Sequence, residues 1–496
     1  MKALSGLDGA FLHLETPETP MHVGSLHLFD LPPGYGSDFY ATIKRQMRQR
    51  LQLAPVFTRK LAPMPLQFAN PVWVTEDRVD LDYHVQRVTL PRPGTQAQLE
   101  DAAARLHSEL LDRSRPLWRL YVFDGLQGGQ AAYYIKVHHA VLDGQAGVLL
   151  AQALFDITPS ARPPGRASTK SARPAEHPGT GELAAAALKH DISQFIKLAR
   201  HLPDVVRTLA GLFKATPGAP KGRLGQNFSF GPKTPINVAI SGERGFAARS
   251  IPLDVLKQLA VGHEAKLNDI VLALCSGTLR RYLAHHGGIP KKPLIAAMPI
   301  SLRDPGNTEY TTQATMSLVN LNTHIADPIK RLHAIRDAAG AIKELARRAR
   351  GVLPTDFPTI TVPWVLHGLA SLYGRAHIAD AIPPIANVVI SNVPGPQVPL
   401  YAAGARMSTY WPLSIPEHGV GLNITVMSYA GAMGFGFTTA RNAVPDAREL
   451  SAALAAALDE LVEKTRRASR RGAPAGKAAR TGAAKKRTVG QSGRAP

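Results

Sequence analysis

Scarcity is the first feature of this sequence. Its 496 residues include a single cysteine, Cys275, and 37 acidic side chains against 58 Lys and Arg. One cysteine excludes a disulfide framework and every multi-cysteine metal or iron–sulfur site. Cys275 ends the apolar stretch Ile270-Val271-Leu272-Ala273-Leu274-Cys275, which predicts a buried, inert thiol. Aromatic residues are sparse at 6%. The longest uncharged run, residues 381–405, contains five prolines, Pro383, Pro384, Pro394, Pro396 and Pro399. Proline at that density excludes a spanning helix. The opening Met1-Lys2-Ala3-Leu4-Ser5-Gly6-Leu7-Asp8 lacks the apolar core and cleavage site of a secretory signal. The expectation is a cytoplasmic protein, at most peripheral at the inner membrane or at lipid inclusions. Four chemical signatures are also missing: Gly-x-Ser-x-Gly, a Walker loop, His-Glu-x-x-His and Gly-x-Gly-x-x-Gly. Nothing here suggests a covalent enzyme intermediate.

Apolar residues make up 45% of the chain and the net charge is +21. The length suits two to four domains or one large two-lobed enzyme. Eleven of the basic residues lie in residues 464–496, which hold no acid and a single large aliphatic residue, Val489. Such a segment cannot bury enough surface to fold, so a disordered tail is expected over 464–496. A solvated tail and an electrostatic tether to acidic lipid both fit it. Nucleic acid is not expected as a partner, because no interleaved aromatics or recognition motif accompany the charge.

Composition divides the rest of the chain. Residues 1–155 mix strand-like and helix-like patterns. Residues 156–235 contain Pro159, Pro163, Pro164, Pro174 and Pro178, the composition of a linker. Within them, 182–215 reads as a basic amphipathic helix. At about 100° per residue, Lys189, Lys197, Arg200, Arg207 and Lys214 fall on one side and Leu188, Phe195, Leu198 and Leu202 on the other. Packing on the second lobe and contact with a lipid surface both suit that helix. Residues 236–463 again mix α and β. The pattern predicts an α/β (α+β) protein of two lobes joined by a long crossover.

The chemistry concentrates in one segment. Residues 131–137 read as a strand, and Gly144 opens a helical pattern. His138 and His139 lie between them, at a strand end, where catalytic groups often sit. Strand parity puts His139 on the face of Tyr133, Ile135 and Val137, and His138 on that of Tyr134 and Lys136. Adjacent histidines on opposite faces make a poor chelate for one metal. Two histidines, then Asp143 and Gly144, point instead to a general base that takes a proton from an acceptor in a single displacement.

His138-His139-Ala140-Val141-Leu142-Asp143-Gly144 matches the His-His-x-x-x-Asp-Gly motif of CoA-dependent acyltransferases. Within that superfamily the chain resembles the bacterial wax ester synthase/acyl-CoA:diacylglycerol acyltransferases. The resemblance is carried by the opening residues 4–12, Glu15-Thr16-Pro17, Met21-His22-Val23-Gly24, Pro116-Leu117-Trp118, Asn268-Asp269, residues 298–303 and residues 391–396. It covers about residues 1–460 and omits the tail.

The resemblance implies two chloramphenicol-acetyltransferase-like lobes with an active-site tunnel between them. It implies long-chain acyl-CoA as substrate, diacylglycerol or a fatty alcohol as acceptor, and neither a metal nor a bound cofactor. His139 is then the general base. Asp143 is structural, with Arg303 as its candidate partner, and Gly144 lets the chain turn. Ser391 and Asn392 are candidate oxyanion donors or a turn before Pro394. Asn268 and Asp269 serve substrate binding or cap a helix. Trp118 lines the tunnel or packs in the core. Two other readings stay open: a non-catalytic lipid-binding member of the fold, and an acyltransferase with an amine or carrier thiol as acceptor.

Overall fold

The structure, a computed structural model, describes residues 2–3, 6–62, 71–142, 144–160, 230–301, 314–349 and 378–472. Two large sheets dominate it. The first is built from β2 (His22–Asp30), β5 (Val85–Thr89), β6 (Trp118–Asp124), β7 (Ala131–His138), β12 (Tyr401–Ala402) and β13 (Ala405–Met407), in the order β12–β13–β2–β7–β6–β5. A further strand, β14 (Trp411–Leu413), also pairs with β2. The second sheet is built from β8 (Arg244–Pro252), β9 (Ile295–Ser301), β10 (Ala314–Asn320), β11 (Val388–Val393), β15 (Leu422–Tyr429) and β16 (Ala432–Ala440), in the order β10–β9–β11–β15–β16–β8. A small antiparallel sheet joins β1 (Lys2–Ala3), β4 (Val72–Thr75) and β3 (Arg59–Ala62).

β7 is the centre of the first sheet. It pairs antiparallel with β2 on one side and β6 on the other, and all eight of its residues are buried. The expected parity holds along it. Tyr133, Ile135 and Val137 enter a core with Phe29, Phe57 and Trp118, closed by the helices Phe39–Arg50 and Gly144–Leu154. Ala132 and Tyr134 enter another core with Leu26, the helix Gln96–Ser108, and Phe246 and Ala248 of β8. That second core is shared by the two lobes, so burial of apolar surface holds them together.

The second sheet alternates with equal regularity. Leu422, Ile424, Val426, Phe435 and Phe437 pack with residues of the helices Leu267–His285, Pro328–Ala349 and Arg448–Gly472. Gly434 and Gly436 fall on the opposite face, where the backbone at Tyr410–Pro412 lies flat on them. A Cβ at position 436 would stand 1.9 Å from the Pro412 carbonyl oxygen. The Gly-Phe-Gly-Phe alternation therefore fills one face of the strand and clears the other.

These contacts correct the domain boundaries drawn from composition. Residues 401–413 lie within the expected 236–463 lobe, yet β12, β13 and β14 extend the sheet of residues 1–155. Backbone hydrogen bonding to β2 overrides adjacency in sequence. Asp156 is likewise no linker residue: it is buried, it pairs with Arg50 at 2.8 Å, and it bridges the Tyr401 backbone. At the far end of the expected linker, Thr234 bonds Asn237 inside the second lobe. The basic helix expected over 182–215 lies outside the described residues. The tail also starts later than expected. The helix Arg448–Gly472 carries residues 464–472, because Leu450, Leu454, Ala457 and Leu461 bury one stripe of it and Thr465 bonds His263 at 2.8 Å. Residues 473–496 are outside the described set. Among the described residues no helix is long and apolar enough to cross a membrane.

Candidate active site

The histidine pair sits where β7 ends. β7 stops at His138, and residues His139–Val141 form one tight turn before the helix Gly144–Leu154. Two bonds define this turn. The His139 backbone N–H donates to the Met21 carbonyl at 2.8 Å. The Ala140 N–H donates to His138 Nδ1 at 3.1 Å. An Nδ1 that accepts must be unprotonated, so neutral His138 carries its proton on Nε2.

His138 Nε2 points towards a residue to which sequence reasoning gave no role. Glu15 Oε1 lies 3.3 Å from it, and the same oxygen lies 3.3 Å from His22 Nε2. Glu15 is buried, as are both histidines. Its other oxygen accepts from Arg113 Nη2 at 2.8 Å and Nε at 3.2 Å, and the Met21 N–H donates to Oε1 at 3.1 Å. Burial alone would raise the Glu15 carboxyl pKa. His138 and His22 reverse that and hold it well below the usual carboxylate range. Glu15 is therefore a buried anion that fixes His138, and His138 fixes the turn. Glu15 and His22 stood inside the opening block that carried the family resemblance. Only the antiparallel register His22↔His138 brings them to the site.

His139 has a different environment. Its ring stacks on Phe11 with centroids 3.9 Å apart and planes at 21°. Its Nδ1 is buried with no hydrogen-bond partner among the described residues. Burial lowers its pKa from 6.5 to about 4; its own backbone carbonyl opposes the shift and His138 adds to it. The ring is thus neutral at neutral pH. Phe11, in the helix Gly6–Leu14, is a second contributor that sequence reasoning left unassigned.

A buried polar row continues behind the pair. The Tyr134 hydroxyl donates to His107 Nδ1 at 2.6 Å, and His107 Nε2 donates to the Ser414 carbonyl at 2.9 Å. Burial holds the His107 pKa well below its usual range. Lys136 is fully buried and donates to the Leu106 and Glu109 carbonyls at 2.6 and 2.5 Å, which caps the helix Gln96–Ser108. Burial lowers the Lys136 pKa to about 7.

The other expected site residues scatter. Trp118 takes the core alternative: it is fully buried, stacks on His84 at 4.4 Å and donates to the Phe57 carbonyl at 3.2 Å. Asp269 is a helix cap, accepting the Lys266 N–H at 2.8 Å. Asn268 and Asn392 come together, with Asn392 donating to Asn268 Oδ1 at 3.2 Å. Ser391 and Asn392 belong to β11 and not to a turn. As neighbours on a strand they face opposite sides, so they cannot both serve one oxyanion. None of these residues hydrogen-bonds His139. Gly144 begins its helix as expected. Asp143 and Arg303 lie outside the described residues, as does their pairing. Cys275 is buried, and burial pushes its thiol pKa up to about 12.

Comparisons with known proteins show what the chain is similar to. Residues 4–271 match the wax ester synthase/diacylglycerol acyltransferase catalytic domain, and residues 312–462 match the C-terminal domain of the same family. A putative diacylglycerol O-acyltransferase of Mycobacterium tuberculosis is 36% identical over 462 residues, which span 92% of this chain and 99% of that protein. The O-acyltransferase WSD of Acinetobacter baylyi is 35% identical over 465 residues, spanning 91% and 94% of the two chains. Among solved structures, the wax ester synthase/diacylglycerol acyltransferase from Marinobacter aquaeolei superposes with a TM-score of 0.67 at 27% identity, covering 94% of this chain and all of that one. The starter condensation domain of rhizomide synthetase shares the fold, with a TM-score of 0.54 at 10% identity and coverage of 93% and 94%.

Proposed function

The chain belongs to the wax ester synthase/diacylglycerol acyltransferase family, and we propose that it moves a long-chain acyl group from acyl-CoA to diacylglycerol or a fatty alcohol with His139 as general base. The products are triacylglycerol and wax ester. One observation supports the assignment of the base: the His139 ring rests on Phe11 and burial keeps it neutral, while His138 Nδ1 accepts the Ala140 N–H and its Nε2 lies 3.3 Å from Glu15.

The chemistry follows from that asymmetry. In this scheme the neutral His139 ring keeps its proton on Nδ1 and presents the Nε2 lone pair. Nε2 takes the acceptor's hydroxyl proton as the oxygen attacks the thioester carbonyl carbon. A C–O bond forms and the carbonyl becomes a tetrahedral oxyanion. The oxyanion collapses, the C–S bond breaks, and the CoA thiolate recovers the proton from the imidazolium. Atoms and charge balance without an acyl-enzyme. No metal or bound cofactor takes part in this scheme, and acyl-CoA is a substrate. A positioned general base contributes about 10²–10⁴-fold. The low basicity of His139 shortens the imidazolium's lifetime and favours return of the proton to sulfur.

Palmitoyl-CoA offered in parallel with hexadecanol and with dipalmitoylglycerol tests the reading. Release of CoA together with ester product in either arm is the expected result. CoA release without ester, or no turnover with either acceptor, would overturn it. Residues 473–496, with six Lys and Arg and no acid, suit a tether to an acidic lipid surface where both acceptors partition.

A further inference from the structure

The loop between the helix Gly6–Leu14 and β2 holds both histidines. Its residue Glu15 binds His138, and its residue Met21 accepts the His139 N–H. The loop closes on itself through Thr16 and Thr19, which exchange backbone hydrogen bonds at 3.0 and 3.3 Å. Its outer side meets the other lobe. Arg244, the first residue of β8, is buried and donates through Nη2 to the Glu18 carbonyl at 2.6 Å. Its Nη1 donates to the Ser241 carbonyl at 2.6 Å, and its backbone N–H donates to Ser108 Oγ at 3.0 Å.

Two features separate this contact from ordinary packing. Among the described residues no carboxylate pairs with Arg244, so a buried cation is held by carbonyls alone. An uncompensated buried cation is costly, and its fork geometry suits several fixed acceptors at once. The neighbouring residue is also selected for contact: a Cβ at Gly242 would stand 2.8 Å from the Pro17 carbonyl oxygen. The 241–244 turn of the second lobe is therefore seated on the 17–19 turn of the first.

We propose that Arg244 is a positioning residue which, by holding the Glu18 carbonyl across the lobe junction, sets the loop that aligns His138 and His139. The catalytic turn then has its working geometry only while the lobes are apposed. A misplacement near 1 Å at a reacting group costs about 10²-fold in rate, so a change that leaves the core intact can still remove turnover. This inference rests on the reading of His139 as base.

The test compares Arg244→Gln and Arg244→Lys in the full-length chain. Steady-state kinetics, thermal melting, and amide hydrogen exchange of the peptide spanning residues 133–142 are measured on each. In Arg244→Lys, melting stays near the parent value, while kcat falls about 10- to 100-fold and KM for acyl-CoA changes less than about three-fold. Exchange at the His139 amide speeds while β15 keeps its protection. Arg244→Gln shows the same pattern with lower melting. Parent-like kcat per folded molecule in Arg244→Lys would overturn the proposal, as would unchanged exchange at 133–142. The exchange result separates the two ideas. If His139→Ala retains turnover, the base assignment fails, but exchange still reports whether Arg244 holds the turn.

Discussion

His22 and His138 stand opposite each other across β2 and β7, and their Nε2 atoms lie at the same distance, 3.3 Å, from one oxygen of Glu15. A single carboxylate thus lies between two imidazoles in a site closed to water. It also accepts from Arg113 and from the Met21 N–H. The arrangement builds His138 into the architecture of the turn, which fits the proposed role of His139 as base.

The two histidines should respond differently to truncation. His139→Ala is expected to lower kcat about 10²–10⁴-fold at a cost in stability of only about 1 kcal/mol, the value of an aromatic stack. His138→Ala leaves Glu15 and the Ala140 N–H short of a partner and should cost about 1–3 kcal/mol, with activity falling as well. Denaturant unfolding alongside single-turnover kinetics checks both. Normal turnover by His139→Ala would remove it from the mechanism.

Glu15→Gln preserves shape and removes charge. The change weakens charge-assisted bonds to Arg113 and His138, so a loss of about 1.5–3 kcal/mol is expected. The variant should unfold at lower denaturant with the same slope. Stability equal to the parent would show that the buried charge is not needed.

Acid should weaken the fold from one direction. Burial lowers the pKa of His22 and His139 to about 4 and that of His27 to about 3, from an ordinary 6.5. Between those values the unfolded chain binds more protons than the folded one, so stability falls as pH drops from about 6.5 towards 4. The depressed Glu15 pKa adds loss in the same direction below its ordinary 4.5. Melting temperature followed across that window should decline throughout. The rate per folded molecule should hold to lower pH than a free imidazole allows, because His139 protonates only near 4. A melting temperature that rises on acidification from 6.5 would contradict the assignment of these histidines as neutral.

The crossing of β14 over the second sheet depends on small residues. Gly436→Val places a side chain where the Pro412 carbonyl stands 1.9 Å from the would-be Cβ. Overpacking of this kind costs about 1–3 kcal/mol. Gly147→Ala is the control: a Cβ there meets nothing within 4 Å in the helix Gly144–Leu154. Alanine should be neutral or stabilising by up to about 1 kcal/mol. Equal effects of the two substitutions would argue against close contact at Gly436.

Truncation after Gly472 removes the basic tail and spares the helix. Binding to vesicles of acidic phospholipid should weaken, most clearly at low salt where screening is least. Acyl transfer in detergent should persist. Unchanged vesicle binding would make the tail a solvated appendage. Cutting at 463 should also lower the melting temperature, since it deletes the bond between Thr465 and His263.

Local patterns in the sequence were enough to read the strand–turn–helix that carries His138, His139 and Gly144. They also placed Tyr133 and Tyr134 on opposite faces and marked Cys275 as buried. Each of these depends on residues close in the chain, where the periods of strand and helix apply directly. The supports of the site were not legible in that way. Glu15 and His22 reach His138 only through strand pairing across more than a hundred residues. Trp118 and Asp269 each had two readings, and burial and bonding partners favour the core and the helix cap.

The sequence by itself determined the α/β character, the two-lobed organisation and the histidine turn, because hydrophobic period and motif spacing are local properties. Tertiary structure set His138 beside Glu15 and stacked His139 on Phe11. It carried residues 401–413 from the second lobe into the first sheet and set Arg244 of one lobe against the Glu18 carbonyl of the other. Those outcomes depend on register and on the burial of charge, and both arise only when distant segments exclude water together.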